Sequence, residues 1–137
     1  MSKEGPIYAV ESEVSLEEFR LLLIESGLGV RRPVDDSARL ESMLRNASLI
    51  VTARIDGVLV GIARSVTDFV FCCYLSDLAV SKRAQGRGIG AQLIERTREH
   101  LGPTVSVILS SVPECVGFYE SIKMSPLPSG FWFRRER

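Results

Sequence analysis

A glycine-rich segment between a strand and an amphipathic helix is the feature that most constrains this chain. It runs from Gln85 to Gly90 and carries glycine at every second position. Glycine permits positive φ angles and close approach of the backbone, so successive amide N–H groups can converge on one anion. The helix that follows adds unsatisfied N-terminal amides and the positive end of its dipole. The segment therefore predicts a binding site for a pyrophosphate group.

The charge balance of the chain makes such a local site necessary for anion binding. The 137 residues include 17 basic and 17 acidic side chains, which gives a formal net charge of zero. No global field attracts the chain to nucleic acid or to an anionic membrane, and we expect neither as a partner. Lys82, Arg83 and Arg87 crowd the glycine segment and form a basic patch there.

Other phosphate motifs fit the glycine segment less well. Gly86, Gly88 and Ala91 satisfy the G-x-G-x-x-G/A pattern of dinucleotide sites. Such a site needs an acidic residue about 20 positions later, at the end of the next strand, and 109–111 is Leu-Ser-Ser. The segment also follows an antiparallel meander rather than opening a βαβ unit. A Walker loop would need a G-K-[S/T] sequence, which does not follow. A purely structural turn stays an alternative.

Apolar periodicity and turn residues predict the other elements. Ser15 begins a helix because Glu18 follows in capping-box spacing, and Asp56-Gly57 predicts a hairpin turn. The run Val105–Leu109 is typical of a strand covered on both faces. The predicted strands are Ile7–Glu13, Ser48–Arg54, Val58–Val66, Val70–Val80, Val105–Leu109 and Gly130–Arg135; the predicted helices run from Ser15 to Gly27, from Asp36 to Asn46, from Ile89 to Leu101 and from Pro113 to Ile122, with a loop at Gly29–Pro33.

This order of elements predicts one domain, residues 1–137, of the α+β class (a three-layer α/β arrangement). We expect a mixed, mostly antiparallel sheet of six to seven strands flanked by about four helices. The first ten residues contain no apolar run of a secretory signal, so we expect a cytoplasmic protein. The three cysteines, Cys72, Cys73 and Cys115, are not spaced as metal ligands are. The sequence has a single histidine, His100, that could complete such a site. No metal site is expected, and the cysteines are interpreted as small, half-buried apolar residues.

Two motifs resemble those of the GCN5-related N-acetyltransferase (GNAT) superfamily. Leu78-Ala79-Val80 followed by Gln85-x-x-Gly88-x-Gly90 is similar to its coenzyme A motif, Q/R-x-x-G-x-G/A. Cys115 to Glu120 is similar to the segment A-x-x-F-Y-E, which in the family continues to Gly-Phe where this chain has Lys123-Met124. The element order also matches over essentially the whole chain. The resemblance implies the GNAT fold and acetyl-coenzyme A as donor.

The resemblance also implies roles for particular residues. Tyr119 stands at the position of the acid that protonates the leaving thiolate. Asp77 is a candidate base for the attacking amine. The equally weighted alternative is an aspartate that anchors a bulge or pairs with Arg64 on the neighbouring strand. His100 lies at the far end of the phosphate helix, about 15 Å from its start, and is a poor base. The cofactor-binding residues implied are Leu78, Ala79 and Val80 along pantetheine, and Gln85, Gly86, Arg87, Gly88, Ile89, Gly90 and Ala91 around the pyrophosphate.

The function implied is direct transfer of an acetyl group to a primary amine, with a small molecule favoured as acceptor. A protein lysine or N-terminal acetyltransferase is one alternative, and a non-catalytic coenzyme A-binding module is another. Arg31, Arg32 and Asp68 are candidate contacts to a polar acceptor; Phe69, Phe71, Phe131 and Trp132 are candidates for an apolar wall. A homodimer is compatible with the sequence.

Overall fold

The computed structural model describes residues 5–137. Residues 1–4, part of the stretch considered above for a secretory signal, lie outside that range. The described residues form a five-stranded sheet in the order β1-β2-β3-β4-β5. The first four strands pair antiparallel, and β5 pairs parallel to β4. The strands are β1 Ile7–Val10, β2 Leu49–Ile55, β3 Val58–Thr67, β4 Cys72–Val80 and β5 Ser106–Ile108; the helices are α1 Leu16–Ser26, α2 Ser37–Arg45, α3 Ile89–Leu101 and α4 Val116–Ser121.

The local signals in the first half of the sequence are confirmed. Ser15 Oγ accepts from the Glu18 amide at 3.2 Å, and the Glu18 carboxylate accepts from the Ser15 amide at 2.8 Å. This reciprocal pair satisfies two amides at the start of α1. Gly27 ends that helix with a φ of 88°. The turn between β2 and β3 has positive φ at both Asp56 and Gly57, as a two-residue hairpin of the predicted type requires.

Helices cover both faces of the sheet and bury two clusters of apolar residues. The cluster under α3 includes Leu93 and Ile94, and the cluster under α1 and α2 includes Phe19 and Leu40. Gly61 of β3 allows α3 to approach closely, since a Cβ at this position would lie 3.0 Å from the Leu93 side chain. The three-layer arrangement predicted from the sequence is therefore confirmed.

Three predicted elements differ from the structure. Residues 130–135 form no strand, so the sheet has five strands rather than six or seven. The aromatic run at 131–133 lacks strict polar–apolar alternation, and Phe131 and Phe133 are 95% and 105% exposed. The strand predicted at Val105–Leu109 is short and lies at the sheet edge, so it is only half covered. The expected loop at Gly29–Pro33 begins as a 3-10 turn, Leu28–Arg31.

None of the helices within residues 5–137 combines the length and the apolar character that crossing a bilayer requires.

Candidate active site

The second half of β4 offers a backbone edge without a strand beside it. β4 pairs with β3 from Cys73 to Val80, but with β5 only from Cys72 to Tyr74. From Leu75 onward, β4 has no second neighbour among the described strands. Because successive residues of a strand direct their N–H and C=O groups to opposite edges, half of these groups face the opening between β4 and β5. An extended ligand can therefore bind here as an added strand.

A β-bulge at Ser76 turns β4 at the start of this opening. Arg64 pairs with Asp77 and Ser65 pairs with Leu75, so Ser76 is the extra residue on β4. Leu75 packs into the cluster under α3, whereas Ala79 packs into the cluster under α1 and α2. The bulge thus exchanges the two faces of the strand, which is a recognised way to re-aim side chains beside a functional site.

The glycine segment follows β4 directly and is held by hydrogen bonds at its start. The Ser81 amide donates to the Val60 carbonyl at 2.8 Å, and the Ala84 amide donates to the Ser81 carbonyl at 2.8 Å. The Gln85 side-chain amide donates to the Val80 carbonyl at 3.0 Å. The Gln85 backbone amide donates to the Lys82 carbonyl at 3.3 Å, so Gln85 holds the start of the loop with both its side chain and its main chain.

The amides at the start of α3 are available for an anion. Gly86 and Gly88 have φ angles of 81° and 77°. The first helical hydrogen bond joins the Gln92 amide to the Gly88 carbonyl at 3.0 Å, so the amides of residues 89–91 precede the hydrogen-bonded ladder. A backbone of alternating φ sign followed by a helix N-terminus is a typical anion-binding concavity.

The glycines of this segment have two different uses. A Cβ built on Gly86 or Gly88 would meet nothing within 4 Å, so open space lies above the loop. A Cβ on Gly90 would lie 3.2 Å from the Phe118 ring, so Gly90 makes room for α4. Lys82, Arg83 and Arg87 are exposed around the loop and give it positive charge. The shape and charge of this loop fit a pyrophosphate.

Tyr119 lies on α4 and is partly buried against the apolar cluster under α3. Its ring meets Phe118 edge to face at a centroid distance of 5.1 Å. Burial, with a smaller contribution from Cys115, raises the pKa of Tyr119 to about 12. The ordinary pKa of a tyrosine is 10.0, so the buried hydroxyl is a weaker acid than that of an exposed tyrosine. It stays protonated at physiological pH and can donate a hydrogen bond to a developing thiolate.

Asp77 is fully buried and paired with arginine side chains. Its Oδ1 accepts from Nε of Arg32 at 2.5 Å, and its Oδ2 accepts from Nε of Arg64. The pairing with Arg64 that the sequence left open is therefore present, and Arg32 is a partner that the sequence did not indicate. The role of Asp77 as a base stays a prediction. His100 is exposed, on the last turn of α3, in edge contact with Phe69.

The residues suggested for acceptor contact are dispersed. Asp68 accepts from the amides of Val70, Phe71 and Cys72 at 2.8, 2.8 and 3.2 Å, so it holds the β3–β4 turn. Nη2 of Arg31 lies 3.6 Å from Oε1 of Glu114, with which it forms an ion pair. The cysteine interpretation is correct for Cys73, which is buried, but Cys72 and Cys115 are exposed. Within residues 5–137 no group of His, Cys, Asp and Glu side chains is arranged to hold a metal ion.

Comparisons with known proteins agree with this geometry. Residues 26–122 match the family described as acetyltransferase (GNAT) domain. The uncharacterized N-acetyltransferase ycf52 of Pyropia yezoensis is 29% identical over 118 residues, covering 77% of this chain and 65% of the relative. A GNAT-family acetyltransferase of Streptococcus pneumoniae superposes with a TM-score of 0.77 at 24% identity, over 96% of this chain and 99% of that chain.

A third similar structure contains coenzyme A. The aminoglycoside N-acetyltransferase AAC(6')-Iy, in complex with coenzyme A, superposes with a TM-score of 0.68 at 19% identity, over 100% of both chains. The family match covers more than half of the sequence. The chain therefore belongs to the GNAT family of acetyltransferases. It spans about two-thirds of the length of the curated relative it matches, 65%.

Proposed function

We propose that this chain transfers an acetyl group from acetyl-coenzyme A directly to a primary amine, and that the acceptor is a small molecule. The observation that carries the proposal is the junction between the open edge of β4 and the amides at the start of α3. The two features lie end to end, one suited to an extended amide-containing arm and the other to a pyrophosphate. Coenzyme A has both parts in that order.

The donor would be held mainly by backbone groups. The amides from Gly86 to Ala91 would bind the pyrophosphate, with Lys82 and Arg87 adding positive charge. The Gln85 amide, which the resemblance placed in the same set, already donates to the Lys82 carbonyl at 3.3 Å. The main chain of Leu78–Val80 would pair with the pantetheine arm along the open edge of β4. When bound, acetyl-coenzyme A supplies an activated acyl group. Binding through the backbone explains why glycine, rather than a particular polar side chain, is needed in the loop.

The chain's own groups would act on the charges that develop during transfer. A backbone N–H near Leu78 is suited to the carbonyl oxygen of the acetyl group. One such donor lowers the activation barrier by ~3 kcal/mol. The Tyr119 hydroxyl is suited to the leaving sulfur, because its raised pKa keeps the proton in place. Asp77 has each carboxylate oxygen engaged by an arginine, so it would receive a proton only through water. Its base role remains a prediction.

The class of acceptor is the least constrained part of the proposal. A small amine is favoured because a similar structure is an aminoglycoside acetyltransferase. A protein lysine or N-terminal amine is the second candidate, and a coenzyme A-binding module without turnover is the third. Cytoplasmic location and a homodimer also remain predictions.

Release of free thiol from acetyl-coenzyme A tests the function directly. The acceptor panel would contain polyamines, arylalkylamines, aminoglycosides, amino acids and lysine-containing peptides. We expect thiol release that depends on one of the small amines. Release with peptides alone would favour the protein acetyltransferase. Calorimetric binding of coenzyme A without acceptor-dependent release would favour the binding module, and no binding at all would refute the donor assignment.

A further inference from the structure

The β-bulge that opens the site is held by a buried cluster of charged side chains. Asp77 has no exposed surface, and both of its oxygens accept hydrogen bonds from arginine Nε atoms, one from Arg32 and one from Arg64. A buried carboxylate is costly unless it is fully paired, so each arginine has a fixed position relative to β4. Arg32 follows the 3-10 turn after α1, and Arg64 lies on β3.

The same two arginines also bind Ser76, the extra residue of the bulge. Nη2 of Arg32 donates to the Ser76 carbonyl at 2.8 Å, and Nη2 of Arg64 donates to the Ser76 hydroxyl at 3.0 Å. Each guanidinium therefore uses two of its rigidly spaced donors on adjacent residues of β4. Arg64 also reaches the carbonyl of Met43, near the end of α2, at 3.3 Å. The two arginines thus connect the bulge to the 3-10 turn after α1, to β3 and to α2.

The bulge in turn sets the direction of the open edge. Leu78–Val80 begin two residues after Ser76, and they continue the strand in the orientation that the bulge imposes. The glycine segment is joined to β4 by the Gln85 side chain at Val80, the last residue of the strand, and it has further attachments through Ser81 to β3 and through the first turn of α3. A change in the arginine cluster should therefore move the open edge of β4 more than it moves the phosphate loop.

We infer that Arg32, Arg64 and Asp77 form a positioning cluster that fixes the Ser76 bulge, and with it the strand edge that receives the pantetheine arm. This inference rests on the proposed function, because it assigns that arm to β4. In this role the Asp77 carboxylate holds the two arginines in place on the bulge, and it need not contact the reacting atoms.

Two ligands separate this role from a general contribution to stability. Coenzyme A uses both the strand edge and the phosphate loop, whereas adenosine 3',5'-bisphosphate, its nucleotide part, lacks the pantetheine arm. For Arg32→Ala we expect calorimetric affinity for coenzyme A to fall about tenfold, equivalent to ~1.4 kcal/mol, and affinity for the bisphosphate to be unchanged. Arg32→Lys should lose part of the affinity, because an ammonium group cannot reproduce the two-point fork.

Arg54→Ala is the matched control. The Arg54 side chain, like that of Arg32, is 22% exposed and takes part in ion pairs, in its case with Glu11 and Glu18. It should lower the melting temperature without changing either affinity. If Arg32→Ala unfolds, Arg32→Lys becomes the deciding variant. Unchanged coenzyme A affinity in the Arg32 variants, or equal weakening of both ligands, would refute the positioning role. Failure of the wild type to bind coenzyme A would instead refute the proposed function and this inference with it.

Discussion

At the scale of single residues, burial changes what Tyr119 can contribute. Its position in the A-x-x-F-Y-E-like segment predicts an acid for the leaving thiolate. In the structure, the contact with Phe118 and the surrounding helix remove the phenol from water, which raises its pKa to about 12. The neutral hydroxyl is thereby favoured, and the role that we propose for it is that of a hydrogen-bond donor that stays protonated at physiological pH.

Tyr119→Phe should lower turnover while leaving coenzyme A affinity nearly unchanged. The variant keeps the ring and its packing, and it removes only the hydroxyl that would face the sulfur. The loss expected is about 100-fold, at the lower end of the range for a positioned proton donor. Thiol-release kinetics and calorimetry would measure the two quantities. Turnover equal to that of the wild type across the pH range would exclude Tyr119 from the chemistry.

The same variant has an independent readout in alkaline stability. The folded pKa of Tyr119 lies above the ordinary value of 10.0, so its stabilising contribution is complete below about pH 10. That contribution is lost as pH rises toward about 12. Denaturant unfolding should therefore show a smaller alkaline loss of stability in Tyr119→Phe than in the wild type. Tyr8, whose pKa burial also raises, is present in both proteins and serves as an internal reference.

At the scale of elements, the glycine segment is a helix start whose backbone we propose as the binding group. Two positive φ angles and three amides ahead of the helical ladder produce the concavity, so the side chains matter less than the backbone. The second motif, Cys115 to Glu120, is followed by a residue that differs from the family pattern. Lys123 stands where the family has glycine, and its φ is 71°, a conformation that glycine adopts without strain.

Gly88→Val should abolish binding of coenzyme A. Valine is β-branched, resists a φ of 77°, and would place its side chain in the open space above the loop. Loss of two charge-assisted hydrogen bonds alone would weaken affinity by about 100-fold or more. Calorimetry with coenzyme A measures this change.

Gly102→Val supplies the matched control for that variant. Gly102 caps the other end of α3 with φ 86° and ψ 177°, a region that is essentially restricted to glycine, and a Cβ there also meets open space. It should destabilise the fold at least as much as Gly88→Val and leave coenzyme A affinity intact. Equal affinity in the two variants would show that the phosphate-loop assignment is wrong.

At the scale of the whole molecule, the sheet and its helices form the stable unit, and the C-terminal segment adds little to it. Residues 130–137 are exposed throughout. A hydrogen bond from Arg39 to the Arg137 carbonyl, at 3.1 Å, joins the segment to the body, and Trp132 stacks on Arg134 of the same segment. Little apolar surface is buried by this segment, so it contributes little hydrophobic stabilisation.

Removal of residues 130–137 should leave the free energy of unfolding within about 0.5 kcal/mol of its original value. Urea titration followed by far-ultraviolet circular dichroism would measure it. Trp132 is the single tryptophan and is 69% exposed, so its fluorescence in the intact chain should already resemble that of a solvated indole. A loss of more than about 2 kcal/mol, or blue-shifted emission, would show that the segment packs as the additional strand that the sequence indicated.

The sequence by itself determined the features that depend on neighbours along the chain. Capping at Ser15, the Asp56-Gly57 turn, helix α3 and the glycine loop are all set by backbone preferences within a few residues, and each is confirmed. The two motifs also indicated the family correctly, because each motif is a short run of neighbouring residues.

Only the tertiary structure decided the features that depend on distant contacts. Arg32 meets Asp77 across 45 positions, and no local pattern encodes that separation. The Ser76 bulge, the partial pairing of β5 and the burial of Tyr119 likewise depend on which surfaces pack together. The opening of the site follows from the same contacts, since β4 and β5 stay paired for three residues and then part. The physical reason is that apolar burial and ion pairing are non-local, so they select among arrangements that local preferences leave equivalent.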